Sequence, residues 1–327
     1  MKRTLALSLT LALMAPFAAA APPTISQLLR SVPVSARAVV AVDTAALRQV
    51  PRVQEWLIRH QAWTGAGDDM RRFLADSGLD PVRDVDAMVV AVLDENPGTG
   101  GVAWFAGRYD PSSLGPALVK RGAGALTIGA VPAYRLPSAG HGDGRSVVLA
   151  QPSPDLVVVG DEAAVRAALE PPHAVPPLVE KEVAGGHIDL RAPFWAVATI
   201  PASLRSRAGE AAGSAAAHGG ESVRSVVFAS GAVERVAMEA FLDDSLRVSG
   251  VAVADTPENA ELLRDAVKGA IAAARLQAQG QAPELVNVLR DVQVRLSGSE
   301  VSAAGSVPIA LLEKLIAEHG GTHDSMR

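Results

Sequence analysis

The sequence predicts an α+β protein made of two similar domains in a pattern of duplication, each a mostly antiparallel sheet with helices packed on one face. Three observations predict this. Valine-rich runs recur between clusters of glycine, proline and asparagine, the mark of strands joined by hairpins. Helix starts are spelled out by caps, as in Leu79-Asp80-Pro81 and Thr256-Pro257-Glu258. The order strand, helix, hairpin, helix, strands, terminal helix occurs twice.

In the first half, Ala36 to Val42 is an apolar run that reads as a buried strand, and Asp43-Thr44 caps a short helical turn. Pro51 to Gln61 reads as a helix whose stripe is Val53, Trp56 and Leu57. A second helix, Asp68 to Ser77, ends at Gly78, where a left-handed cap is wanted. Asp80 then caps a turn opened by Pro81, and Val85 leads into a strand through Val92. Asn96 to Gly101 is a turn cluster, and Val102 to Tyr109 is the return strand of a hairpin. Asp110-Pro111-Ser112-Ser113 starts a helix that Gly122 ends. Strands are expected at Ala125 to Leu136, Ser146 to Ala150 and Leu156 to Val159, with Asp161 capping a helix from Glu162 to Leu169.

The second half opens with a strand, Phe194 to Ile200, and a short helix, Pro201 to Arg207. An alanine, glycine and serine stretch, Gly209 to Gly220, precedes strands at Val223 to Ala229, Val236 to Leu242 and Leu246 to Val253. The helix Pro257 to Gln279 carries a stripe of Leu262, Leu263, Ala266, Val267, Ala270, Ile271 and Ala274 at the 3.6-residue period. A short helix, Pro283 to Leu289, and a hairpin through Gly298-Ser299 come next, and the last helix runs from Pro308 to Ala317. By pattern, Ala38 to Leu47 aligns with Trp195 to Leu204, and Leu156 to Leu169 with Val301 to Ile316.

The N-terminus reads as an export signal: Lys2 and Arg3, an apolar stretch from Leu5 to Phe17, and Ala18-Ala19-Ala20 as the cleavage site. Its loss would remove two cations and no acid, leaving 307 residues of charge -7. The proline-rich break around His173 then divides what remains. The expected organisation is a cleaved signal at 1–20, domains at 21–172 and 187–320, and a flexible tail at 321–327. The expected location is the periplasm or the exterior. The helix Pro257 to Gln279 is too charged to face lipid, and the few aromatics cannot build the girdles of an outer-membrane barrel.

Composition excludes further classes. With no cysteine in 327 residues, disulfide scaffolds and thiolate metal sites are ruled out. A net charge of -5 argues against nucleic acid as a partner. Hydrophobic residues at 49% are too many for a disordered chain.

The start Ala38 to Leu47, the run Gly78-Leu79-Asp80-Pro81-Val82-Arg83-Asp84-Val85-Asp86 into a strand, and Val102 to Leu114 resemble a set of uncharacterised exported bacterial α+β proteins. The resemblance covers most of the first half and little of the second. It implies the duplicated α+β form and an exported location, and it implies no activity.

Catalytic motifs are missing. There is no G-x-S-x-G elbow and no S-x-x-K pair in the exported part, and the seven histidines form neither H-x-H nor H-E-x-x-H. His141 with Asp143, and His187 with Asp189, have the spacing that a strand would turn to one face; the tail offers Glu318, His319 and His323. Asp84 and Asp86 alternate onto one strand face as paired carboxylates would, but a solvated edge accounts for them better. Gly122 to Thr127 lacks the third glycine of a dinucleotide loop, and Asp94-Glu95-Asn96 is a hairpin tip. No catalytic, cofactor or metal residue is therefore assigned, and no cofactor is expected.

Two features point to binding. Trp104-Phe105 must send its aromatics to opposite faces of a strand, so that one can line a cavity or a partner surface. The alanine-rich helix Pro257 to Gln279 can pack on a partner helix or a lipid groove, although core packing explains its stripe better. The expectation is an exported, non-catalytic binding or interaction protein of the bacterial cell envelope. Its partner is a protein or a hydrophobic ligand, and the alternative reading is a periplasmic carrier of a lipid or other hydrophobic molecule. A hydrolase with a dispersed site comes third.

Overall fold

The computed structural model describes residues 21–51, 53–54, 68–93, 100–137, 146–170, 174–206 and 231–320. The expected export signal, most of the expected helix Pro51 to Gln61, the expected turns at Asn96 and His141, His173, the Gly209 to Gly220 stretch with the strand expected after it, and the expected tail lie outside them.

Twelve strands form one continuous antiparallel sheet. In chain order they are β1 (Ala38–Asp43), β2 (Val85–Val92), β3 (Gly101–Gly107), β4 (Gly124–Ile128), β5 (Val131–Arg135), β6 (Val147–Ser153), β7 (Leu156–Asp161), β8 (Phe194–Thr199), β9 (Val233–Leu242), β10 (Ser245–Ala254), β11 (Gln293–Ser297) and β12 (Glu300–Pro308). Their order across the sheet is β11-β12-β10-β9-β8-β1-β2-β3-β7-β6-β5-β4. A separate sheet for each half was the expectation, and it is corrected here. The first strands of the halves, β1 and β8, pair antiparallel with Ala41 opposite Trp195, so one ladder runs through both. Reading outward from that pair, each side shows a strand, a two-strand meander, and then the last strand of its half with the preceding strand beyond it.

The helices are α1 (Ile25–Leu28), α2 (Thr44–Arg48), α3 (Asp68–Ser77), α4 (Pro81–Asp84), α5 (Pro111–Lys120), α6 (Glu162–Ala168), α7 (Pro177–Ala184), α8 (Pro257–Gln281), α9 (Pro283–Asp291) and α10 (Ile309–Gly320). Several start where capping chemistry directs. Asp43 accepts from the Ala46 N–H, Asp80 from Val82 and Arg83, Asp110 from Ser112, and Thr256 from Asn259. Gly78 ends α3 at φ +68°, in the left-handed region that a side chain disfavours. Asp161 departs from expectation: its carboxylate makes no cap bond to α6 and accepts instead from the Gly100 N–H at 2.7 Å, tying β7 to the end of the β2–β3 hairpin. The single strand expected from Ala125 to Leu136 is a hairpin, β4 and β5, folded at Gly129 with φ +61°.

Helices cover both faces of the sheet, where one was expected, and the central strands carry apolar side chains on both faces rather than at alternate positions. Trp104 and Phe105 are neighbours on β3 and mark the two faces. On the Trp104 face, Leu28 of α1, Val165 of α6 and Val179 of α7 pack against Val39, Val89 and Trp195. Trp104 and Trp195 are wholly buried there. Each large side chain so removed from water contributes about 1.5–3 kcal/mol. On the Phe105 face, Phe73 of α3 and Leu114 and Leu118 of α5 pack against Phe105, Leu149 and Val157. Farther along this face, α8 lays Ala260 and Leu263 on Val294, Leu296 and Val301. Leu262 and Ala270, both expected in the α8 stripe, face outward.

Candidate functional site

The Phe105 face of the first half carries a large cavity. Its floor is the outward set of residues on β2, β3, β6 and β7: Val85, Phe105, Leu149, Val157 and Val159. Its walls come from α3 and α5, and it is a half-open space of about 1030 Å³ with an overwhelmingly apolar lining. That volume sits at the top of the range of small-molecule sites, roughly 300–1,000 Å³. The apolar side chains follow from strand alternation. The space lies between the sheet and α3 and α5, which have ten residues each, roughly 15 Å of helix.

Polar groups hold the two helices over this space. The Ser113 hydroxyl donates to the Ser77 carbonyl at 2.8 Å, joining the end of α3 to the start of α5. Near the other end of α5, the Asp76 carboxylate accepts from Lys120 Nζ at 2.9 Å and from Arg121 Nη2 at 2.8 Å, one oxygen to each. The Lys120 hydrogen bond, helped by Arg121, holds the Asp76 carboxyl below the usual range. These three side chains line the mouth, and Arg121 is the least exposed of them. Arg121 Nε is buried and has no hydrogen-bond partner among the described residues. Tyr109, on the cavity wall, is also buried, and burial pushes its phenol well above its ordinary value. Gly115 lets α5 approach the sheet, since a Cβ there would lie 2.3 Å from the Tyr134 hydroxyl oxygen.

A second constellation lies on the Trp104 face, at the boundary between the halves. Glu182 of α7 is 1% exposed. One of its oxygens is 2.6 Å from His187 Nδ1, and the other is 3.4 Å from Arg235 Nε of β9, an ion contact rather than a hydrogen bond. His187 Nε2 lies 3.4 Å from Glu300 of β12. Arg235 and Glu300 both sit opposite Val253 of β10, so they flank one position of the ladder. The cluster locks α7 onto the second strand set.

The residues singled out in the sequence fall as follows. Trp104 goes into the core and Phe105 lines the cavity. Asp84 closes α4, bound by Arg83 and by the Asp80 N–H, while Asp86 on β2 pairs with Arg48 and faces Arg108 at 3.6 Å. The two carboxylates thus serve separate cation partners. His187 and Asp189 lie in no strand: His187 turns to Glu182, and Asp189 to Arg191 at 2.7 Å. Among the described residues, no group of three histidine, aspartate or glutamate side chains is placed to hold a metal ion. The same residues include no helix long and apolar enough to cross a membrane. Glu182 and Asp76 were not singled out in the sequence, whereas a cavity lined by one aromatic of the Trp104-Phe105 pair was. Pro177, ideal at a helix start, was the one available signal for α7.

No family model matches the chain, and no curated protein matches it. Among solved structures, it is similar to TP0453, a Treponema protein. Crystal form III of TP0453 is 11% identical, with 89% of this chain and 97% of that chain covered, at a TM-score of 0.47. Crystal form I is 10% identical at a TM-score of 0.44, with coverage of 89% and 96%. Crystal form IV is 10% identical at 0.41, with coverage of 88% and 95%.

Proposed function

We propose that this chain is an exported, non-catalytic binding protein of the bacterial cell envelope, and that it takes a hydrophobic ligand between α3, α5 and the sheet. The observation that carries this reading is the apolar cavity of about 1030 Å³ with a polar mouth. A core of this size packs closely when nothing is to be admitted. We infer as well that the two strand sets descend from one duplicated unit, a reading supported by their matching order outward from the β1–β8 pair. On this reading residues 1–20 are removed on export, and 21–172 and 187–320 are the two copies.

N-phenyl-1-naphthylamine, a neutral dye that brightens on leaving water, tests the cavity directly. The protein lacking residues 1–20 is expected to bind it in one saturable phase. Val159→Trp, which places an indole in the cavity, is expected to abolish that phase while the thermal transition is retained. Unchanged dye fluorescence with the unsubstituted protein would sink the reading, as would equal binding by Val159→Trp.

A further inference from the structure

We propose that the ligand is a single-chain amphiphile with an anionic head, and that Lys120 and Arg121 hold the head in the position now filled by the Asp76 carboxylate. This deepens the hydrophobic-ligand proposal and rests on the cavity being the ligand site. Three features of the mouth carry it.

The first is charge. Two cations converge on one carboxylate at the mouth of an apolar cavity whose lining also includes Arg72, so cations outnumber acids there in a chain whose net charge is -5. Apolar lining alone would suit a neutral hydrocarbon, but a cationic pair at its edge suits a molecule with an apolar tail and an acidic end.

The second is geometry. Lys120 Nζ and Arg121 Nη2 each take a different oxygen of Asp76, at 2.9 and 2.8 Å. That is how a bound carboxylate or phosphate is gripped, with charge-assisted hydrogen bonds from two sides. Asp76 thus occupies an anion site that the protein has already built. Arg121 is only half used by it: the Nε edge of its fork is buried and has no acceptor among the described residues. An anion seated on that edge and on Nη2 would complete the paired contact that a guanidinium offers best.

The third is position. Asp76 is the penultimate residue of α3, so its contacts to Lys120 and Arg121 join the Ser113–Ser77 hydrogen bond in fastening the end of this helix to α5. A head group that displaces Asp76 releases that fastening and leaves the Ser113–Ser77 hydrogen bond as a hinge. Entry of the tail and opening of α3 are then one event, because the same two cations serve both anions.

Displacement of N-phenyl-1-naphthylamine by dodecanoate, dodecyl phosphate and dodecanol, all below their micelle concentrations at neutral pH, tests the proposal. Against the unsubstituted protein, at least one of the anions is expected to compete about tenfold better than the alcohol, the ratio that one charge-assisted contact supports. Which anion does so identifies the head as carboxylate or phosphate, and either result upholds the proposal. Asp76→Asn is expected to widen the advantage by removing the competing carboxylate. Lys120→Gln with Arg121→Gln is expected to bring the ratio of anion to alcohol competition to about one, a readout taken within the same variant. Dodecanol competing as well as both anions against the unsubstituted protein overturns the anionic head and leaves the apolar cavity standing. That comparison needs no variant to fold. If the dye does not bind at all, the cavity itself fails as a site, and the head-group proposal fails with it.

Discussion

The Trp104 face of the sheet is two surfaces in one. Beneath β1, β2, β3, β7 and β8 it is a dry core in which Val39, Val89, Trp104, Val158 and Trp195 are fully buried or nearly so. From β9 outward the positions in register with Trp195 are Glu239, Ser249, Ala304 and Gln293, and on β11 the residues that share this face, Gln293, Arg295 and Ser297, are exposed. Strand geometry is the same on both sides, since each strand still sends alternate residues to alternate faces. What changes is the means of attachment. On the dry side, helices are held by packing. At the border with the wet side, the segment after α7 adds single strong contacts to the packing of Ile188 and Ala192: Glu182 with His187, and Glu239 accepting from the Asp189 N–H at 2.6 Å. Sheet topology therefore does not dictate how a sheet is covered; the residue on the covered face does.

Substitutions on the two sides should separate sharply. The largest loss is expected from Trp195→Ala, about 3–5 kcal/mol of unfolding free energy, since it empties the centre of the dry core. Urea denaturation measures it, and a loss near zero would break the contrast. Glu182→Ala comes next, at about 3 kcal/mol, because it strands Arg235 and His187 at the boundary. Replacing Glu182 and Arg235 together by leucine should recover much of that loss, since no half-pair remains. Gly160→Ala follows at about 1–3 kcal/mol, because its Cβ would lie 2.4 Å from the Gly101 carbonyl oxygen in the neighbouring strand. Arg295→Ala on the wet side is expected to change stability by less than about 0.5 kcal/mol. An effect as large as that at Trp195 would mean that the wet face is covered in solution.

Acid gives a fifth, graded test. The Arg83 hydrogen bond, with the Asp80 N–H, keeps the Asp84 carboxyl below its ordinary value. A carboxyl lowered on folding adds stability above its unfolded value, near pH 4, and loses it as the pH falls through the lower folded value. The urea midpoint should fall over that acid interval, and Asp84→Asn should flatten the decline. A midpoint that rises on acidification would reverse the sign.

Much of this architecture is legible in the residues, and what is not has a physical cause. Asp110-Pro111 and Thr256-Pro257 announce their helices because capping is local chemistry, complete within four residues. The valine runs announce strands for the same reason. The joining of the halves is different: the pairing of Ala41 with Trp195 is set by long-range register and leaves no local mark. The helix Pro177–Ala184 was hidden by the prolines before it, and Glu182 looks in sequence like any solvated acid. Phe105 could be assigned to a cavity or partner surface from its alternation with Trp104, but the space in front of it depends on how α3 and α5 stand off the sheet. Asp76 gave no signal, because its partners lie more than forty residues away.

The ladder between β1 and β8 also governs the order in which the molecule can be completed. Its partners are separated by more than 150 positions, so this contact closes a very long loop and forms after local hairpins such as β2–β3 and β9–β10. A chain made from its N-terminus presents β1 paired on one side only until Phe194–Thr199 has emerged. During that interval the strand Ala38–Asp43, apolar on both faces, is an open edge of the kind that recruits other chains. The second half thus acts as the first half's protection against self-association.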